Sequence, residues 1–380
     1  MNIQSKLPNI AVTIFTTMSK MAADCDAINL SQGFPDFDVH PRLLDAVARH
    51  MRAGRNQYAP MQGVWELRVR LAEKVARLYG AAVDPATEIT VTSGATEALF
   101  AAISAVVHPQ DEVILFEPAF DVYEPAILLN GGIPVFIPLK FPDYTIDWDR
   151  VRDALSPRTR LMILNSPHNP TGTVISPGDI AALKAIAAER PFLILSDEVY
   201  EHIIFDGLTH QSMLRHPELA SRSFVVSSFG KTYHTTGWKI GYCVAPAPLS
   251  VEFQRVHQYV TFASNTPIQY AYADILEEEE LYRQLPQFYQ AKRDRFLSLI
   301  EPSRFKPLAC RGTYFQMVDY SAVSGEPDTR FAVRLTREHK VAAIPPSVFY
   351  HGNDDHHVLR FCFAKRDETL ESAAEILCRI

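Results

Sequence analysis

The chain has 380 residues, 47% hydrophobic and 21% charged, enough apolar material for a large buried core and length for two or three domain-sized units. Its 37 basic and 44 acidic residues leave a net charge of -7 with no basic block, which argues against nucleic acid or an anionic membrane as a partner and leaves small molecules. Cys25, Cys243, Cys310, Cys362 and Cys378 lie far apart without a C-x-x-C spacing, the N-terminus carries no signal-peptide core, and the most apolar helical run, 98–107, is too short to cross a bilayer. A reduced, cytoplasmic protein is expected.

Residues 1–40 read as an irregular, extended segment in which INLSQGFPDFDVHP carries Gly33 and two prolines among aromatics. From Pro41 a helical pattern of Leu43, Leu44, Val47, Ala48 and Met51 runs to Gly54, and a second amphipathic helix ends at Gly80. Tyr58 falls in the loop between them. Residues 88–92 form a strand, followed by Ser-Gly-Ala-Thr and a helix. The free N–H groups and partial positive charge of a first helical turn suit a phosphate, so Gly94, Ala95 and Thr96 are candidates, although the same turn occurs in units without a ligand.

The next buried strand, 113–116, is broken by Pro118. Phe120 follows, either as a core ring or as a platform for a flat heteroaromatic group. Residues 161–164 repeat the theme before a turn containing Asn169. After a helix around 180–188, PFLILSDEVYEHIIF is a strand that ends in Asp197, with Tyr200 three residues later. A carboxylate there must be paired, or must cap a helix. The apolar run 224–226 ends in Ser227, Ser228 and Gly230 just before Lys231, and Lys239 opens another run eight residues on. A solvated surface lysine would account for either one alone.

Gly94, Phe120, Asn169, Asp197, Ser228 and Lys231 thus follow the C-terminal ends of separate apolar strands, the edge at which open parallel sheets bind ligands. One shared site on that rim is predicted. Farther on, Phe253, Val256 and Val260 share a helix face, and the glutamates 277–280 read as a solvated face rather than a metal site. Around Pro286 the composition shifts to an amphipathic helix, FYQAKRDRFLSLI, and short strands, GTYFQMVDY and VAAIPP. Near the C-terminus Leu359, Phe361 and Phe363 alternate with Val358, Arg360 and Cys362, which leaves Arg360 as a cation within an apolar strand. It serves either a structural ion pair or a carboxylate held by two parallel hydrogen bonds. The adjacent histidines of HGNDDHH lack a spacing that would put ligands on one face, so no metal is expected.

Taken together, S-x-x-K with a cation eight residues later, NPTG, SDEVY and R-F-C-F resemble the class I (fold type I) pyridoxal-phosphate aminotransferases over nearly the whole chain. LSQGFPDF, NQYAP, FDVYEP and GWKIGY resemble the kynurenine and methionine branch. The resemblance implies an α/β fold: a large domain, 41–285, with a mostly parallel seven-stranded sheet flanked by helices, and a smaller α/β domain from 1–40 and 286–380. It implies that Lys231 joins pyridoxal 5′-phosphate covalently and moves the substrate α-proton, with Asp197 on the ring nitrogen. Tyr200 and Asn169 would serve the ring oxygen and Phe120 the ring face, while Ser228, Lys239 and the 94–96 turn hold the phosphate. Gly33 and Arg360 would take the substrate carboxylate, Asn169 would also count among the substrate-binding residues, and Phe15, near Ile14, would line the side-chain pocket.

The family assembles as homodimers, which implies that Tyr58 and Phe262 come from the partner chain. Phe15, Phe120, Tyr123 and Phe262 suit large uncharged side chains such as methionine, phenylalanine or kynurenine, and no second arginine is evident for a dicarboxylate. A carbon–sulfur β-lyase of the same fold is the alternative activity. A non-catalytic cofactor sensor would need a DNA-binding segment, and the residues before Pro41 are too few and too irregular for one.

Overall fold

The computed structural model describes residues 3–380 and forms twelve strands in three sheets among them. The first, β1 (Ile28–Asn29), belongs to the N-terminal segment. Then follow β2 (Ile89–Thr92), β3 (Glu112–Glu117), β4 (Ile133–Pro138), β5 (Thr159–Asn165), β6 (Leu193–Asp197), β7 (Ser223–Ser228) and β8 (Gly241–Val244). These seven make the main sheet, in the order β2-β8-β7-β6-β5-β3-β4. Every pairing is parallel except those of β8, which runs against both neighbours.

The sheet is buried on both faces, which is why its strands read as nearly continuous apolar runs. Alternate side chains serve two separate cores. Val113, Leu115, Leu161, Ile163, Leu195, Phe224 and Val226 pack with the helix Gly94–Val106 on one side. Ile114, Met162, Leu164, Ile194 and Val225 join the larger core on the other.

That larger core continues into the C-terminal part of the chain. There β9 (Lys306–Pro307), β10 (Phe315–Asp319) and β12 (Val358–Cys362) form an antiparallel sheet, while β11 (Val341–Ala342) pairs in parallel with β1. The N-terminal segment is fastened here: Leu30 N–H donates to the Ala342 carbonyl at 3.1 Å, and Cys362 N–H donates to the Leu30 carbonyl at 2.8 Å. Among the described residues no helix is long and apolar enough to cross a membrane.

Three expectations change. Within the segment read as irregular, Ile14–Asp24 is a helix, capped by Thr13 and anchored through Met18 and Ala22 one turn apart. On the helix Ala247–Val260 the buried residues are Ser250, Phe253 and His257, and Val260 is exposed. A polar residue holds the core position because the His257 ring is fixed on both sides, by Glu97 at 2.9 Å and by the Met61 carbonyl at 3.0 Å. The glutamate run does not simply face water. Glu278 meets Arg42 at 2.6 Å, Glu279 meets Arg77 at 2.8 Å, and Glu277 pairs with Arg70, so the run clamps the two helices Pro41–Arg52 and Trp65–Tyr79.

A buried polar cluster ties this layer to the turn that follows β6. Lys74 Nζ lies 2.7 Å from Glu201 Oε1, the Tyr242 hydroxyl stands 2.9 Å from both, and Tyr79 donates to the other Glu201 oxygen. Burial is the largest single influence and opposes ionisation of Glu201, but Lys74, His202 and the Tyr79 hydrogen bond together outweigh it and hold the carboxyl well below its ordinary range. Lys74→Ala would leave that charge unpartnered and is expected to remove about 3–5 kcal/mol of stability. Urea denaturation measures this, and a loss below about 1 kcal/mol would contradict the role given to the pair.

Candidate active site

Three carboxylates leave the end of β6 within five residues, and all are buried. Glu198 is satisfied by Ser196 Oγ at 2.8 Å, the Met213 N–H at 3.0 Å and His210 Nε2 at 2.8 Å. Glu201 has the cluster described above. Asp197, 3% exposed, receives the Tyr123 hydroxyl at 2.7 Å on Oδ2 and only a long contact from the Val199 N–H, 3.3 Å, on Oδ1. It is the under-partnered member of the three, and burial pushes its acid up to about 6.

Asp197 lines a cavity of about 280 Å³ on the C-terminal rim of the sheet. Gly94, Ala95, Thr96, Phe120, Asn169, Tyr200, Ser228 and Lys231 line it as well, each carried there by the strand it follows. Lys239 reaches the same rim from the opposite direction, because it precedes the reversed strand β8. Phe15, Gly33 and Arg360 complete the wall from the N-terminal segment and β12. A second cavity of about 300 Å³, walled in part by Tyr144, His168 and Arg311, contains none of these side chains.

The turn after β2 is shaped for a close approach. Gly94 has φ +74°, and a Cβ there would stand 3.4 Å from Lys239 Nζ. Gly241 must also lack a side chain, since a Cβ would meet the Ala95 nitrogen at 2.8 Å. Backbone N–H groups at the start of the helix Gly94–Val106 therefore lie beside an ammonium group, a combination suited to a phosphate.

Lys231 Nζ donates to the Gly33 carbonyl at 3.1 Å and to the Tyr314 hydroxyl at 2.9 Å. Burial brings this amine down to about 8. Arg360 is 0% exposed and lies over the Phe315 ring at 3.8 Å. Its Nη1 donates to Asn169 Oδ1 at 2.6 Å and its Nη2 to the Ser31 carbonyl at 2.9 Å, while Nε has no partner. Among the described residues it enters no ion pair, although Asp121 is near enough to feel its charge. Burial lowers it only to about 10, and it remains charged at neutral pH.

Tyr58 and Phe262 stand outside this single-chain cavity, ring to ring at 5.4 Å, and Tyr58 is 85% exposed. Tyr123 does not line a side-chain pocket either; its hydroxyl is spent on Asp197. Asn165 and Tyr314 were not anticipated. Asn165 donates to the Asp197 carbonyl at 3.0 Å and accepts the Asn169 N–H at 2.9 Å, which fixes one rim turn against the next. Its position at the end of an apolar strand, like that of Asp197, was the available signal. Tyr314 carried none, since it sits in GTYF beside other core aromatics.

The residues fit pyridoxal 5′-phosphate: a half-satisfied buried carboxyl suits a ring N–H, the 94–96 turn with Lys239 suits a phosphate, and Lys231 is an amine within the same cavity. Residues 26–377 match the model of the family "Aminotransferase class I and II". A methionine aminotransferase of Escherichia coli is 54% identical over 98% of this chain and 97% of that one. The solved structure of a protein from the same organism, described as having a methionine aminotransferase function, superposes with a TM-score of 0.98 at 53% identity, covering all of both chains. A kynurenine–oxoglutarate transaminase of Dictyostelium discoideum is 35% identical over 97% of this chain and 94% of that one. The chain belongs to the class I and II aminotransferases and is a pyridoxal-phosphate-dependent transaminase.

Proposed function

We propose that this transaminase takes the amino group from a large uncharged amino acid, with methionine, the aromatic amino acids and kynurenine as candidate donors, and passes it to a 2-oxo acid. The observation that carries this is the make-up of the cavity wall. Arg360 is the one arginine among its described residues, and Phe15, Phe34, Phe120 and Phe315 supply apolar faces to the same wall. A single guanidinium takes the α-carboxylate, and none is left for a side-chain carboxylate. The relatives named for methionine and kynurenine fit the same reading.

Bound pyridoxal phosphate supplies an aldehyde that joins an amine and a ring that accepts the electron pair left by loss of the α-proton. The chain's own residues do the rest. Arg360 and the Gly33 backbone orient the amino acid through its carboxylate, and Phe15 contacts its side chain. Lys231 would hold the cofactor and its free amine would carry the α-proton; an amine near 8 is partly neutral at physiological pH and can accept it. Asp197 would keep a proton on the ring nitrogen, Tyr200 and Asn169 would serve the ring oxygen, and Phe120 would offer its ring face. Ser228, Lys239, Gly94, Ala95 and Thr96 would hold the phosphate.

The reading extends to assembly. Tyr58, 85% exposed, meets the exposed Phe262, which follows the exposed Tyr259 and Val260 in the chain; this exposed apolar surface supports a symmetric homodimer in which Tyr58 and Phe262 reach the partner's site. A large domain of 41–285 and a small one of 1–40 with 286–380 agree with the sheets, since β2 to β8 fall in the first and the remaining strands in the second. Five free thiols suit a cytoplasmic location.

Methionine mixed with the cofactor-loaded enzyme, with no oxo acid present, is expected to yield one equivalent of its 2-oxo acid per site, and Lys231→Ala is expected to yield none and to bind the cofactor without a covalent link. With a cysteine S-conjugate in place of methionine, release of the thiol together with pyruvate and ammonia would instead identify a β-lyase. Arg360→Ala is expected to raise the KM for the amino acid about thirtyfold or more, as loss of a buried charged pair costs about 2–5 kcal/mol; an unchanged KM would remove Arg360 from carboxylate binding.

In the cofactor-free protein Asp197 keeps its proton up to about pH 6, against about 3.9 for an ordinary aspartate. Between these values the folded chain binds more protons than the unfolded one, so this group makes stability fall as pH rises from about 4 to about 6. Asp197→Asn should flatten that decline in urea titrations. Parallel curves for the two proteins would contradict the assignment.

A further inference from the structure

Tyr314 stands against the amine that Lys231 presents, yet its fully buried ring belongs to the small sheet side of the cavity. The ring is held edge-on by Tyr200, with centroids 5.1 Å apart, and by Phe315 at 4.9 Å. Its hydroxyl lies 2.5 Å from the Gly33 carbonyl and 2.9 Å from Lys231 Nζ, and Nζ lies 3.1 Å from the same carbonyl.

The hydrogens in this triangle can be assigned. A carbonyl oxygen only accepts, so the single phenolic hydrogen of Tyr314 goes to Gly33. Towards Lys231 the phenol is therefore an acceptor, and the amine faces two acceptors. A neutral amine has two hydrogens, and both are used. Its lone pair is the one valence left, on the side away from Tyr314 and Gly33, in a side chain that lines the cavity with Asn169, Asp197 and Arg360.

We propose that Tyr314 and the Gly33 carbonyl form a cradle for the Lys231 amine, holding it whenever it is not bonded to the cofactor so that its lone pair is directed into the site. The cradle rests on the reading of Lys231 as the reacting amine. It also couples two events. Ser31 accepts from Arg360 and Gly33 accepts from Lys231, so one short stretch of the N-terminal segment registers both the group that binds carboxylate and the group that moves the proton. Docking of that stretch on β12 through Leu30 orients both together.

Tyr314→Phe keeps the ring packing and removes the acceptor. In the holoenzyme kcat is expected to fall about tenfold, while the KM for methionine stays within about twofold. In the cofactor-free protein, labelling of Lys231 by acetic anhydride as a function of pH, read by peptide mass spectrometry, should show its midpoint about one pH unit lower, because an ammonium loses more than an amine when an acceptor is removed. Tyr289→Phe is the control: its hydroxyl has no partner, its ring touches Tyr314 at 5.7 Å, and both readouts should stay at the wild-type value.

If Tyr314→Phe does not fold, replacement of Tyr314 by 3-fluorotyrosine, a weaker acceptor of nearly the same size, should lower the midpoint by a smaller amount. A wild-type kcat and midpoint in Tyr314→Phe, or an unmoved midpoint with the fluorinated residue, would overturn the cradle. Retention of covalent cofactor by Lys231→Ala would instead overturn the assignment of Lys231 on which it rests.

Discussion

A carboxylate carried into the interior at the end of an apolar strand is stable only with partners, and the site is built around one that is left short of them. The turn after β6 buries Asp197, Glu198 and Glu201 together. The protein satisfies the second with a serine, a backbone N–H and a histidine, and the third with a lysine and two tyrosines. It gives the first one tyrosine and a long backbone contact. The two well-satisfied acids fasten the turn, and the third keeps an oxygen with hydrogen-bonding capacity to spare. Structural and chemical roles are thus divided among neighbouring residues of one type by what surrounds each.

Strand direction delivers the other parts. Parallel strands put all their C-terminal ends on one edge, so Gly94, Phe120, Asn169, Asp197, Ser228 and Lys231 converge although more than a hundred residues separate the first from the last. The one reversed strand, β8, lets Lys239 enter from its N-terminal end and reach the 94–96 turn. An antiparallel strand inside a parallel sheet is therefore a requirement of this site. Without it the ammonium would lie at the opposite edge.

The far wall of the cavity is made by contacts between distant pieces of chain. Arg360 on β12, Tyr314 just before β10 and residues 30–33 of the N-terminal segment hold one another through hydrogen bonds, and each of them also contacts a group on the rim of the large sheet. Arg360 reaches Asn169, and Tyr314 and Gly33 reach Lys231. A guanidinium so buried keeps its charge with neutral acceptors on two of its nitrogens and aromatic faces over it, and its third nitrogen has no partner.

The buried strands were legible in the sequence because both faces of the sheet are covered, so that each strand appears as a short apolar run, and the small or charged residues just past each run marked the rim. The helix Ile14–Asp24 was not legible, since only Met18 and Ala22 are buried in it, and Val260 was expected on the face that His257 takes because a polar residue in a core is predicted by its partners rather than by periodicity. Local pattern and motif thus determined the α/β architecture, the candidate lysine and aspartate, and the arginine in its apolar strand. Which carboxylate stays under-partnered, that Tyr123 turns to Asp197, and that Tyr314 meets Lys231 are contacts between residues 74 and 83 positions apart. Hydrogen bonds at such separations depend on how the elements pack, and only the tertiary structure decides them.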